Sequence, residues 1–175
     1  MTDTALRLLA GLALATAVSG AALAQQQPPA APAPVPEQMP FDIPYGTPIT
    51  VAQARQVAAA AEAEAKKHNW KMNIAVMGPA GELVYFEKMD GAQLASIQIS
   101  QDKARAAATF RRPTKAFFDA VEGGHPYIAF LHGVVPSEGG FPLVEGGKLI
   151  GAIGCSGGTG AQDGVTCKAG ADTVK

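Results

Sequence analysis

Charge is scarce in this sequence. Only 17 % of its 175 residues are charged, Lys and Arg (14) nearly balance Asp and Glu (15), and the formal net charge is −1, so no basic field exists to hold nucleic acid. Cysteine is rarer still: Cys155 and Cys167 stand with no second Cys or His at ligand spacing nearby, which argues against a metal pair. There is no Ser-His-Asp order, zincin helix, P-loop or paired-carboxylate pattern, so a conventional hydrolase or kinase has no motif behind it. A long apolar run is missing too. The stretch Leu8 to Val18 falls short of the roughly 20 residues a membrane-spanning helix needs, and Ser19-Gly20 ends it.

What that short run does fit is a secretory signal. Arg7 opens a weakly positive segment, Leu8 to Val18 follow as the apolar part, and Ala22-Leu23-Ala24 forms an A-x-A cleavage site before Gln25. Residues 1–24 are therefore expected to be removed, leaving an exported chain, periplasmic or secreted, with no membrane span. Residues 25–48 are dense in Pro, Ala and Gln, a composition that favours extended polyproline conformations, and are expected to act as a tether. Residues 49–175 suit one domain with a single core. Apolar residues make up 47 % of the chain, which points to a compact, oligomeric protein with much of its surface covered. In an oxidising compartment an even cysteine count favours a Cys155–Cys167 disulfide, with two buried free thiols as the alternative.

Gly139 to Gly158, GGFPLVEGGKLIGAIGCSGG, reads as a β-hairpin. Phe141 to Val144 and Leu149 to Gly154 supply strands, and Gly146-Gly147 supplies the positive φ that tight hairpin turns require. The second strand sets Leu149, Gly151 and Ile153 against Ile150, Ala152 and Gly154, so something should press close against its smaller face. Upstream, Thr50 and Gln53 have capping-box spacing before a helix over Val51 to His68, which Asn69 breaks. Trp70 to Met77 alternates apolar residues with Lys71 and Asn73, and Glu82 to Met89 pairs back through Gly78-Pro79-Ala80-Gly81. Ala92 to Arg111 is a second long helix limited by Pro113, and Thr114 is placed to cap a short third helix, Lys115 to Val121. His125 to Glu138 has no clean period and reads as a loop with one short helical turn. Ala161 to Ala171 is a weak helix interrupted by Gly164. The fold class is α/β (α+β), antiparallel hairpins with helices outside.

Lys88-Met89-Asp90-Gly91-Ala92, the helix carrying DKARAAATFRRPT at Asp102 to Thr114, and GGFPLVEGGKLIGAIGCSGGTGAQD at Gly139 to Asp163 together resemble the GlcG/HbpS-like family, also described as the haem-degrading or PduO C-terminal-like domain family. The resemblance runs from Ile49 to Ala171. It implies a profilin-like three-layer α/β/α sandwich with an antiparallel sheet, commonly assembled into dimers and larger oligomers. Several relatives bind haem, one as an extracellular sensor component, and some are fused to corrinoid adenosyltransferases. Cys155 and Cys167 stand where the family usually has small residues. Their joint appearance supports the disulfide and argues against either being a haem ligand. Gly164 replaces the acidic or helix-forming residue expected after Gln162-Asp163.

A haem site needs an apolar slot, an axial ligand and often cations for the propionates. His125 and His132 lie beside Tyr127, Phe130 and Leu131, and Arg111, Arg112 and Lys115 stand at the nearby helix junction. C-x-x-C-H is absent, which excludes covalent attachment. Thr114 is the nearest match to a threonine implicated in haem binding in one branch of the family, with helix capping as the simpler role. Met89 is a soft axial ligand or core, and His68 a helix-end residue favoured by the dipole. Asp90, Lys103 and Arg111 are expected to form a polar cluster if the strand end faces the second helix. The expected function is small-molecule binding, haem or a related tetrapyrrole being preferred. Haem degradation, action on a small acid, and a purely structural or partner-binding oligomer remain as alternatives.

Overall fold

The glycine pair does what the hairpin requires. In a computed structural model that describes residues 34–175, Gly146 and Gly147 both hold positive φ, 54° and 75°. They join β3 (Gly140–Glu145) to β4 (Lys148–Ser156). β1 (Asn73–Met77) and β2 (Leu83–Lys88) form the second hairpin, and β1 pairs antiparallel with β4, giving one sheet in the order β2-β1-β4-β3. The expected signal segment lies outside the described residues. No helix among those described is long and apolar enough to cross a membrane.

Two helices cover one face. α1 (Val51–Lys67) starts on the expected capping box, in which Thr50 and Gln53 satisfy each other's backbone N–H. Its buried stripe Ala54, Val57, Ala58, Ala61 and Ala65 joins Ile74, Val76, Leu143, Ile153, Cys155 and Cys167 in the main apolar core. α4 (Gly160–Ala171) lies beside it on the same side. The two helices approach closely at Gly170, where a Cβ would come within 2.7 Å of the Val57 carbonyl oxygen.

α2 (Ala95–Thr109) covers the opposite face and packs on β1, β3 and β4. The pressure expected on the small face of β4 comes from this helix. A Cβ on Gly154 would collide with the Ser100 carbonyl oxygen and stand 2.5 Å from the Ala104 nitrogen, while Ala152 packs on Ala107 and Ala108. The result is a three-layer α/β/α sandwich around an open antiparallel sheet. Because both faces are covered, every residue of β1 is buried, Asn73 included. Its amide Nδ2 donates to the Gln93 carbonyl, while its Oδ1 is buried without a partner among the described residues, so its accommodation inside is only half satisfied.

Three local expectations change in the structure. Gly164 does not interrupt α4: Thr159 and Gln162 form a second capping box, and the absent side chain leaves room for the Glu138 carboxylate. Thr114 does not cap α3 (Lys115–Glu122), because its hydroxyl is turned to β3 instead. The one short helical turn expected between His125 and Glu138 is a 3-10 helix, Pro126–Phe130. Residues at the end of the expected tether belong to the domain. β4 reaches beyond its last pairing with β1, at Ala152, and the stretch left without a β1 partner is taken up by the preceding chain: Leu149 N–H donates to the Pro44 carbonyl at 2.8 Å and Gly46 N–H to the Leu149 carbonyl at 2.7 Å. Unpaired strand backbone is costly to leave buried, and a proline-rich segment can still offer carbonyls to it.

Candidate functional site

The C-terminal end of α2 organises the chemistry-bearing residues. The helix ends at Phe110 with Arg111 in the left-handed region, φ 55°, followed by Pro113. Arg112 N–H reaches back to the Ala107 carbonyl and Arg111 N–H to Ala108, both 3.3 Å, the paired bonds of a helix-terminating motif that usually places glycine at this left-handed position. Arg111 then donates from Nη1 to the Ile43 carbonyl at 3.0 Å and stands 3.9 Å from Asp42. Arg112 lies 3.7 Å over the Phe41 ring and 5.5 Å from Phe117, and its Nε donates to the Phe110 carbonyl. Burial there, with Arg111 beside it, pushes the Arg112 guanidinium down from its ordinary range. Lys115 pairs with Asp119 at 2.5 Å, which holds its ammonium above the usual value. All three cations expected to meet an anionic ligand are thus engaged within the domain.

The principal cleft opens on the other side of this helix end. It encloses about 570 Å³ between the outer face of α2, which contributes Asp102, Arg105, Thr109 and Phe110, and the loop His132, Gly133, Val134 and Val135. Its volume falls within the ~300–1,000 Å³ typical of small-molecule sites. Phe110 and the two valines give apolar walls, and the exposed imidazole of His132 stands at the rim. Immediately upstream, Tyr127, Phe130 and Leu131 are all exposed, Phe130 by 88 %. Asp102 and Arg105 are tied to each other at 3.1 Å, and Arg105 Nε donates to the Gly81 carbonyl of the β1–β2 turn at 3.2 Å.

Of the residues singled out from sequence, His132 alone lines this cleft. His125 is exposed one 3-10 helix away, with its ring 6.1 Å from Tyr127. Thr114 is fully buried: its Oγ1 accepts from the Gly140 N–H at 2.9 Å, and its own N–H donates to the Gly140 carbonyl at 3.0 Å, so it fastens the helix junction to β3 and is not available to an outside ligand. Met89 is core, its sulfur accepting from the Met72 N–H. His68 stacks on Trp70 at 4.3 Å and reaches Glu64 at 3.2 Å.

The expected cluster of Asp90, Lys103 and Arg111 does not form. Asp90 is exposed, Arg111 holds the chain at Ile43, and Lys103, 1 % exposed, pairs at 2.7 Å with Asp163 of α4. The Asp163 carboxylate also accepts from the N–H groups of Gly157 and Gly158 at 3.1 and 3.0 Å, and Lys103 donates to the Cys155 carbonyl. Burial selects the partner: a lysine inside the α2–β4 contact must have a carboxylate that reaches the same depth, and Asp163 does. Cys155 and Cys167 form the expected disulfide, Cα–Cα 5.5 Å, tying β4 to α4. Asp102 and Arg105 were not anticipated as site residues, although with Thr109 they fall at i, i+3 and i+7, one face of α2 opposite its alanine stripe.

An antiparallel α/β/α sandwich with a ligand-sized cleft at the end of its covering helix defines the class of protein. The family model described as haem degrading protein HbpS-like matches residues 49–172, and the chain belongs to that family. Protein GlcG of Escherichia coli strain K12 is 42 % identical over 108 residues, covering 62 % of this chain and 81 % of GlcG. A solved double mutant of Streptomyces reticuli HbpS superposes with TM-score 0.68 at 26 % identity, covering 83 % of this chain and 99 % of that one. A solved PduOC:heme complex superposes with TM-score 0.67, covering 74 % and 96 %; at 23 % identity this likeness establishes the fold alone.

Proposed function

We propose that this chain is an exported, homo-oligomeric binding protein for haem or a related tetrapyrrole, with the cleft between α2 and the His132–Val135 loop as its site. The observation that carries the reading is the placement of His132, an exposed imidazole at the rim of a cleft walled by Phe110, Val134 and Val135. The residues present fit such a ligand: imidazole is a common haem iron ligand, and an aromatic ring with branched aliphatics suits a flat apolar macrocycle. His132 would hold the iron, and Phe110 and the valines the face of the ring. When bound, the group supplies an iron centre able to accept a nitrogen ligand. The chain's own contribution is to orient the macrocycle and keep water from part of it. The fold is shared with a PduOC:heme complex, which supports the reading without locating the ligand here.

Titration of the purified mature chain with haemin tests it. A saturable Soret shift is expected, weakened at least tenfold in His132→Ala and unaffected in His125→Ala. Absence of any shift in the unaltered protein refutes haem binding, and an equal response in the two variants refutes the assignment of His132. The family description favours a second reading, haem degradation. Time-dependent loss of the bound spectrum with added peroxide, faster than a free-haem control and abolished in His132→Ala, would establish that activity over simple binding.

A further inference from the structure

We infer that Arg105 is an anion-recognising residue of the cleft and that its ligand carries a carboxylate. The inference rests on the cleft being the ligand site, and it deepens that reading by naming the chemical group recognised. Among the described residues lining the cleft, Arg105 is the one that carries a permanent positive charge. The cations that sequence placed near the site are turned elsewhere: Arg111 to Ile43, Arg112 between Phe41 and Phe117, Lys115 to Asp119.

Arg105 is held rather than loose. Its Nε donates to the Gly81 carbonyl, one Nη1–H goes to Asp102, and three of the five N–H groups of a guanidinium are left without a partner among the described residues. Gly81, with φ 85°, makes this placement available, since a Cβ there would stand 2.9 Å from the Arg105 Cγ. A guanidinium fixed at two points loses less freedom when it binds a planar carboxylate through the remaining fork, so the side chain is pre-organised for that shape.

Asp102 sets the charge of the guest. Its Oδ1 accepts from both Arg105 and Gln98, at 3.1 and 2.8 Å, and so keeps one negative charge at the cleft wall. A singly charged carboxylate gains the free side of the guanidinium, whereas a doubly charged phosphate would also meet Asp102. The cleft therefore combines apolar walls, an imidazole and one half-compensated cation, the recognition elements for an apolar molecule that ends in a carboxylate.

The experiment compares protoporphyrin IX with its dimethyl ester by fluorescence titration of the mature chain. The free acid is expected to bind the unaltered protein more tightly than the ester. Arg105→Gln should weaken the acid about three- to tenfold, the lower part of the range for a charge-assisted bond because the side chain is half exposed, and leave the ester unchanged. Asp102→Asn should tighten the acid two- to fivefold, a gain that misfolding cannot imitate. Equal effects on acid and ester, or no effect of Arg105→Gln, overturn the inference. If neither porphyrin binds, the tetrapyrrole reading fails by itself, and 2-naphthoate against its methyl ester, followed by the NMR shift of the Arg105 Nε–H, decides the carboxylate question. An acid-only shift sustains it and identical behaviour of the two refutes it.

Discussion

Replacing Lys103 by methionine keeps most of the stem that fills the α2–β4 contact and removes the ammonium at its tip. In the native protein that ammonium lies 2.7 Å from Asp163 Oδ2, with the side chains 1 % and 4 % exposed. Lys103→Met leaves the carboxylate buried with only the Gly157 and Gly158 N–H groups on its other oxygen. Breaking a buried pair from one side costs about 3–5 kcal/mol, a large share of the ~5–15 kcal/mol that holds a typical domain folded. Adding Asp163→Asn removes the stranded charge, while the amide oxygen can still accept from the two glycines, so the double variant should regain about 1–2 kcal/mol over Lys103→Met alone. Urea unfolding of the oxidised protein measures both effects as midpoint shifts at unchanged slope. A Lys103→Met midpoint corresponding to less than 1 kcal/mol of loss, or strictly additive single and double variants, would refute the assignment of this pair as the internal tie between α2 and α4.

Three further perturbations test the frame. The disulfide closes a loop of sequence separation 12, so Cys155→Ala with Cys167→Ala should cost about 3 kcal/mol on the chain-entropy model; intact mass without reductant should be two hydrogens below the reduced chain, and labelled thiols in the untreated protein would contradict the bond. Thr114→Val should lose about 1–3 kcal/mol by leaving the Gly140 N–H unsatisfied, and a melting temperature equal to that of the unaltered protein would show that water replaces the hydroxyl. Gly154→Ala should destabilise by about 1–3 kcal/mol or more by forcing α2 away from β4; an alanine variant as stable as glycine would mean the helix moves freely on the sheet.

Much of the architecture was readable because it is local. Gly-Gly in a hairpin, Thr-x-x-Gln before a helix and Asn69 as the break after α1 each act over a few residues, and each appears where expected, Asn69 by taking φ 56°. The second capping box, Thr159 with Gln162, is equally local and carries the same signal, yet it opens the helix that Gly164 was expected to interrupt. Asn73 shows a different limit. Strand alternation is a statement about one face, and whether the other face meets water or a helix depends on an element that follows 20 residues later in the chain.

Sequence by itself determined the order of helices and strands, the hairpin turns and the family, because these depend on backbone preference, short spacing or ordered motif pieces, while the cysteine pair it favoured was settled by the 5.5 Å Cα–Cα approach of β4 and α4. Tertiary structure alone decided which charges meet and which are spent. Lys103 and Asp163 are 60 positions apart, Arg111 is engaged by a segment expected to hang free, and Arg105 gains its orientation from a turn in another layer. The physical reason is that a long charged side chain can serve solvent, a neighbour or a ligand at nearly equal local cost. Only the three-dimensional placement of competing carboxylates, carbonyls and rings selects among them.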